Sequence, residues 1–106
     1  GVVENSILFP RVHVGKGAVV RNSILFFNNS LAEGCSFDKV ISDVNNTFGS
    51  GCRAGDEGSG AGGRTTVIGW NNYLPPGTAI GGGCTLYPEL KSADIPLEIP
   101  AETVIP

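Results

Sequence analysis

Large apolar residues recur at a fixed distance along the chain, and each is followed four places later by a small side chain. The segments VGKGAVV, LAEGCSF, FGSGCRA and LPPGTAI begin at Val14, Leu31, Phe48 and Leu74. The first three lie 17 residues apart, and the longer step to the fourth contains the nine extra residues DEGSGAGGR, 56–64. Such a period indicates units that bury their apolar side chains by stacking on their neighbours.

Short runs of β-favouring residues, such as SILF, KVIS and TTVIG, alternate with Gly, Asn or Pro. This alternation predicts strands and turns. No window holds apolar residues at helical spacing over the length that a helix needs. Seventeen residues divide among three faces as about one hexapeptide per face. The pattern therefore predicts an all-β triangular solenoid of parallel strands, with about four coils over residues 1–87 and an insert loop at 56–64.

One column of equivalent positions accepts only small side chains: Ala18, Cys35, Cys52 and Thr78. A buried free cysteine behaves as a small apolar group, so Cys35 is interpreted as core filling. Adjacent strands lie about 4.8 Å apart, which would leave Cys35 and Cys52 within the range that a disulfide spans. An odd total of three cysteines without paired spacing nevertheless favours a reducing, cytoplasmic compartment.

Paired asparagines recur with the repeat, at residues 28–29, 45–46 and 71–72. Asn tolerates the left-handed backbone of a corner, and identical amides stacked at strand spacing can form hydrogen-bonded ladders. The spacing does not decide which member of each pair points inward, because the short face of the 17-residue coil could lie in either of two places.

The tail, residues 88–106, combines four prolines with alternating apolar residues. Proline cannot donate to a central strand ladder, yet the apolar residues still require burial. The tail is predicted to fold over the last coil near Leu86 as an extended cap, or to pair with another subunit.

Composition and isolated motifs exclude several functions. A net charge of −3 with scattered Lys and Arg argues against nucleic acid or an anionic membrane as a partner. His13 is the single histidine, too few for a histidine-rich metal site, and its column of Ser30, Thr47 and Tyr73 indicates an exposed position. The match of Gly58–Gly63 to G-x-G-x-x-G opens no predicted helix and indicates a loop.

The repeats resemble the hexapeptide repeat of left-handed β-helix proteins. More narrowly, VENSILFPRVHVGKGAVVRNSIL (residues 3–25) resembles the C-terminal domain of ADP-glucose pyrophosphorylases (glucose-1-phosphate adenylyltransferases), in which E/R-N-S-I-L phrases alternate with V-x-V-G-x-G-A-V-V. The resemblance implies a parent enzyme that joins ATP and glucose 1-phosphate, with magnesium, into ADP-glucose and pyrophosphate for glycogen synthesis. It also implies a homo-oligomer in which this domain packs on the catalytic domain of the same chain.

The chain lacks the glycine-rich G-G-x-G-T-R-L segment with which that family holds nucleotide phosphates. It begins inside a repeat without methionine, so we expect a piece of a longer protein. The domain itself is therefore expected to carry no catalytic residue, metal ligand or cofactor of its own, ATP and magnesium belonging to the parent enzyme.

Arg53 and Arg64, at the base of the insert, are the one basic pair that the repeat brings near one place, and they are the candidate site for an anionic effector. Two alternatives remain open. One is a hexapeptide acyltransferase or carbonic anhydrase-like trimer whose active site lies on the helix. The other is a purely structural oligomerisation module.

Overall fold

The structure, a computed structural model, describes residues 1–55 and 64–106. These residues form short strands and one 3₁₀ turn, Ser92–Asp94. The strands are β1 Val2–Glu4, β2 Ile7–Leu8, β3 His13–Val14, β4 Val19–Arg21, β5 Ile24–Leu25, β6 Ser30–Leu31, β7 Ser36–Asp38, β8 Val40–Ser42, β9 Thr47–Phe48, β10 Arg53–Ala54, β11 Thr66–Ile68, β12 Tyr73–Leu74, β13 Ala79–Ile80, β14 Thr85–Leu86, β15 Glu98–Ile99 and β16 Val104–Ile105.

The strands form three parallel sheets around one apolar core. Sheet 1 has the order β1-β4-β7-β10-β13-β15, sheet 2 the order β2-β5-β8-β11-β14-β16, and sheet 3 the order β3-β6-β9-β12. Pairing is in register with the repeat, since Val14 lies beside Leu31, Leu31 beside Phe48 and Phe48 beside Leu74. The prediction of an all-β hexapeptide solenoid of the left-handed β-helix type is confirmed.

The predicted number of coils was wrong, because the solenoid has about six turns and not four. The two additional turns are β13–β14 and β15–β16, which continue sheets 1 and 2 but add no strand to sheet 3. Their motifs, IGGGC from Ile80 and IPAET from Ile99, lie on another side of the prism and repeat after 19 residues. A count along the Leu74 column, which belongs to sheet 3, therefore stops two turns too early.

The corners of the prism explain the paired asparagines. The first member of each pair (Asn28, Asn45 and Asn71) has φ between 58° and 63° and is exposed. Asn tolerates this left-handed backbone because its short side chain can hydrogen-bond locally. The exposed amides also stack, with Asn28 Nδ2 donating to Asn45 Oδ1 over 2.9 Å. The first asparagine therefore turns the corner between sheets 2 and 3.

The second member of each pair points inward and forms a buried ladder. Asn29, Asn46 and Asn72 are at most 2% exposed. Asn46 Oδ1 accepts the backbone N–H of Asn72 over 2.7 Å, and Asn46 Nδ2 donates to Ser42 Oγ over 2.9 Å. Every buried amide thus exchanges hydrogen bonds with an adjacent turn, which offsets the cost of placing polar groups in the core.

The small column lies inside, as predicted. Cys35 and Cys52 are fully buried, and both thiols are free. Cys35 Sγ donates to the carbonyl of Gly49 over 3.2 Å. A hydrogen bond with the Cys52 side chain, together with burial, raises the pKa of the Cys35 thiol well above its ordinary value. A buried protonated thiol is unreactive, so Cys35 fills space in the core.

The tail stacks on its own solenoid. Strand β15 pairs with β13, and β16 pairs with β14 so that Ile105 lies beside Leu86. Ile95 and Ile99 join the buried core. The sequence predicted an extended cap near Leu86, and the cap is built from two further strands. The division into a helix up to residue 87 and a tail from 88 stays a prediction, and the predicted loop 56–64, apart from Arg64, lies outside the described residues.

We predict that Cys35→Ala is mild and Cys35→Leu severe. Alanine leaves a small void that costs about 1 kcal/mol, whereas leucine overpacks a closed column at about 1–3 kcal/mol. Ser36→Leu, one position along and outward-facing, is the matched control and should change the melting temperature little. Equal melting temperatures for the Cys35→Ala and Cys35→Leu variants would show that the column is not confined.

Deleting residues 88–106 should expose the Ile80 and Leu86 rung and drive aggregation, because open strand edges pair with other chains. A finer pair of variants is Ile99→Ser and Leu97→Ser, since Ile99 is 3% and Leu97 58% exposed. We expect a loss of about 3 kcal/mol of unfolding free energy for Ile99→Ser and little for Leu97→Ser. A deletion variant with unchanged size on light scattering and unchanged melting temperature would contradict the capping role.

Candidate functional site: the apolar outer face of sheet 2

The two predicted effector residues lie on different elements. Arg53 is exposed in β10 on the outer side of sheet 1, in register with Ser36 and Ala79. Arg64 precedes β11, and its Nη1 lies 3.1 Å from Glu102 Oε2 in an exposed ion pair. Exposed ion pairs contribute about 0–1 kcal/mol, so Glu102 does not hold Arg64 firmly. The pairing of Arg53 with Arg64 around an anion stays a prediction.

The outer side of sheet 3 is polar in its first three strands. His13 and Thr47 are exposed, and Ser30 lies between them in register. In residues 1–55 and 64–106, no three His, Cys, Asp or Glu side chains form a group that could hold a metal ion. Among the same residues, no helix is long and apolar enough to cross a membrane.

The outer side of sheet 2 is mostly apolar. Strand residues alternate between the two sides of a sheet, so Ile41 faces outward between the buried Val40 and Ser42. In-register pairing then brings equivalent residues of every turn onto the same line. This line, the outer column, consists of Ile7, Ile24, Ile41, Val67, Thr85 and Val104. Ile7 is 57% and Val104 56% exposed. With Thr85 as its polar member, the column forms a mostly apolar stripe.

A second line beside the outer column, two positions further along each turn, is mostly aromatic. It consists of Phe9, Phe26, Asp43, Gly69 and Tyr87. Phe9 and Phe26 pack edge to face with ring centroids 4.9 Å apart. The aromatic series is interrupted at Asp43 and Gly69, where two successive turns lack a ring. The interruption opens a groove between Phe26 and Tyr87.

The groove has a volume of about 310 Å³. Ile41 and Val67 contribute to its lining, as do Trp70 and Tyr87, which are 45% and 50% exposed. A side chain at Gly69 could not fill the groove without a shift, since a Cβ atom there would lie 2.6 Å from the backbone nitrogen of Pro88. Close packing of the backbone therefore keeps this position empty.

Among the residues that the structure describes, Asp43 is the one charged residue that lines the groove. Its backbone is held from three sides: its N–H donates to the Ile68 carbonyl over 2.9 Å, and its carbonyl accepts the buried amides of Asn29 and Asn46 over 2.8 and 3.1 Å. Its Oδ1 accepts the N–H of Val44 over 2.7 Å. Its Oδ2 has no hydrogen-bond partner in the part of the chain that the structure describes. The buried ladder thus fixes the backbone of Asp43, and the Val44 N–H holds its carboxylate, which keeps one unpaired oxygen in a mostly apolar groove.

Sequence reasoning did not find this groove. The visible signal was the position two places after each outer apolar residue, which reads Phe, Phe, Asp, Gly and Tyr along the turns. This signal could be interpreted only if the outward side of each hexapeptide was known, and the 17-residue spacing left the outward side open. The structure decides the orientation, because Ser42 and Asn46 are buried.

Comparisons with known proteins give one family match. Residues 1–67 match the family described as GlmU-like, C-terminal hexapeptide. Among solved structures, the acetyltransferase domain of PglB from Neisseria gonorrhoeae FA1090 is 16% identical with a TM-score of 0.46. The match covers 96% of this chain but only 46% of that chain. No curated protein matches significantly.

Proposed function

Because the chain belongs to the GlmU-like C-terminal hexapeptide family, we propose that it is a non-catalytic assembly and regulatory domain of a sugar nucleotidyltransferase. The proposed parent is of the ADP-glucose pyrophosphorylase kind. It uses ATP and magnesium on glucose 1-phosphate, and it works in the cytoplasm as a homo-oligomer. The family description, which concerns a C-terminal hexapeptide domain, and the E-N-S-I-L and V-G-K-G-A-V-V phrases support this choice.

The single observation that carries the proposal is the apolar outer face of sheet 2. Contiguous exposed apolar surface on a soluble domain marks an interaction site. Here the outer column runs through all six strands of the sheet, and exposed aromatic residues, Phe27, Trp70 and Tyr87, lie beside it. In the proposed assembly, this face packs on the catalytic domain of the same chain. The remaining faces are then available for contacts between subunits.

The regulatory part of the proposal concerns two basic residues, Arg53 in β10 of sheet 1 and Arg64 shortly before β11 of sheet 2. Arg53 and Arg64 are exposed and could bind an anionic sugar-phosphate effector, with Arg64 exchanging Glu102 for the effector phosphate. The weak, solvent-exposed pairing of Arg64 with Glu102 supports such an exchange. The three buried free thiols accord with a reducing, cytoplasmic compartment.

The test uses the full-length protein that contains this chain. We expect Ile41→Lys to disrupt docking of the helix domain, so that limited proteolysis releases it and the assembly is smaller on light scattering. Thr47→Lys, exposed on the outer side of sheet 3 in the same turn, is the matched control and should leave both measurements unchanged.

The same full-length protein should form ADP-glucose from ATP and glucose 1-phosphate with magnesium, whereas the 106-residue chain alone should form none. Synthesis by the chain alone would contradict its non-catalytic role. An Ile41→Lys variant with unaltered assembly would show that sheet 2 is not the docking face.

A further inference from the structure

The groove on sheet 2 has the properties of a specific subsite within the docking face. Its volume of about 310 Å³ lies at the lower end of the range for small-ligand pockets, roughly 300–1,000 Å³. Its walls combine aromatic and aliphatic side chains, and in the part of the chain that the structure describes its one charge belongs to Asp43. Apolar walls with one precisely fixed polar group are typical of a site that both binds and selects.

The electrostatics of the groove select the charge of its occupant. An uncharged apolar group would cover the Asp43 carboxylate and leave Oδ2 without a partner, and a buried unpaired charge is strongly unfavourable. A cation removes this cost by pairing with Oδ2. The faces of Phe26, Trp70 and Tyr87 carry negative electrostatic potential and attract the same cation. Within residues 1–55 and 64–106, no Lys, Arg or His lines the groove to compete for the carboxylate.

The shape of the surroundings selects the kind of cation. A guanidinium group is planar, stacks on aromatic rings and donates to a carboxylate through a rigid fork, whereas an ammonium group does none of these as well. The outer column continues beyond the groove on both sides, from Ile24 to Val104. A partner segment whose arginine enters the groove can therefore bury apolar neighbours on the same column.

We propose that the groove binds an arginine side chain, flanked by apolar residues, on an extended segment of the partner that docks on sheet 2. The guanidinium group donates to Asp43 Oδ2 and stacks against Trp70 and Tyr87. Asn29 and Asn46 fix the backbone of Asp43 by donating to its main-chain carbonyl, and the Val44 N–H orients the carboxylate through Oδ1. This inference rests on the proposed function, in that the docking face is the outer side of sheet 2.

The test uses peptides and the intrinsic fluorescence of Trp70, the single tryptophan of the chain. The probe is acetyl-Leu-Arg-Leu-amide, titrated into the 106-residue chain. The matched probe is acetyl-Leu-citrulline-Leu-amide, which has nearly the same shape but no charge. We expect a saturable change in Trp70 emission and binding about tenfold tighter for the arginine peptide, as charge-assisted bonds are the stronger class. Equal affinity of the two peptides, or no saturable change, overturns the proposal.

Substitutions of two aspartates locate the effect. Asp43→Asn should abolish the preference for arginine over citrulline while leaving the melting temperature nearly unchanged, because Oδ1 can still accept the Val44 N–H. Asp38→Asn is the control, since Asp38 lies in β7 of sheet 1 and accepts an exposed amide of Asn22 over 3.1 Å. Persistence of the preference in Asp43→Asn overturns the role of this carboxylate.

The peptide test and the Ile41→Lys test of assembly can fail independently of each other. Loss of docking in Ile41→Lys without any arginine preference keeps the assembly role and overturns the arginine subsite. Arginine preference with unaltered assembly in Ile41→Lys keeps the chemistry of the groove and overturns the assembly role. A Trp70 emission that changes with the concentration of the chain itself, and not with peptide, identifies a second copy as the occupant and overturns the proposal.

Discussion

In-register parallel pairing between turns is the constraint on which the rest of this structure depends. Each strand hydrogen-bonds to the equivalent strand of the next turn, so every side chain lies beside its equivalent about 4.8 Å away. Equivalent positions in successive turns must therefore suit the same environment, in side-chain volume and in hydrogen bonding. Inside, this produces the small column of Cys35 and Cys52 and the asparagine ladder through Asn46, whose amides serve the adjacent turns. Outside, it extends one residue preference into a stripe across the whole domain.

The same constraint makes a break in a column informative. Along the aromatic line of sheet 2, Asp43 and Gly69 replace rings in two successive turns and open the groove. The carboxylate there is not a loose surface charge. The main-chain carbonyl of Asp43 accepts hydrogen bonds from two rungs of the buried ladder, and its Oδ1 accepts the Val44 N–H. Asp43 thereby connects the buried asparagine ladder with the groove on the surface. In a solenoid with otherwise uniform faces, a residue that departs from the repeat can create a specific binding site.

The sequence shows which residues are equivalent between turns more reliably than it shows which side of each strand faces outward. The period, the absence of helix and the inward position of Cys35 all follow from spacing and side-chain volume, and the structure agrees. The orientation of the paired asparagines could not follow, because it depends on where the coil is one residue short. The number of coils was underestimated since the turns after Thr78 repeat at 19 residues and omit a strand of sheet 3. The groove could not be predicted for the same reason as the asparagine orientation, because the outward side of each hexapeptide was not known.

A direct measurement of register tests the account most sharply. Ser30 and Thr47 lie side by side on the outer side of sheet 3, so Ser30→Cys with Thr47→Cys should be bridged rapidly within one chain by a short bifunctional thiol reagent. Ser30→Cys with Asn45→Cys moves one thiol two positions back along the chain, to the corner that precedes β9. This pair should be bridged far more slowly, the three buried native cysteines remaining unreacted in both. Equal rates of bridging in the two double variants would contradict in-register stacking of the turns.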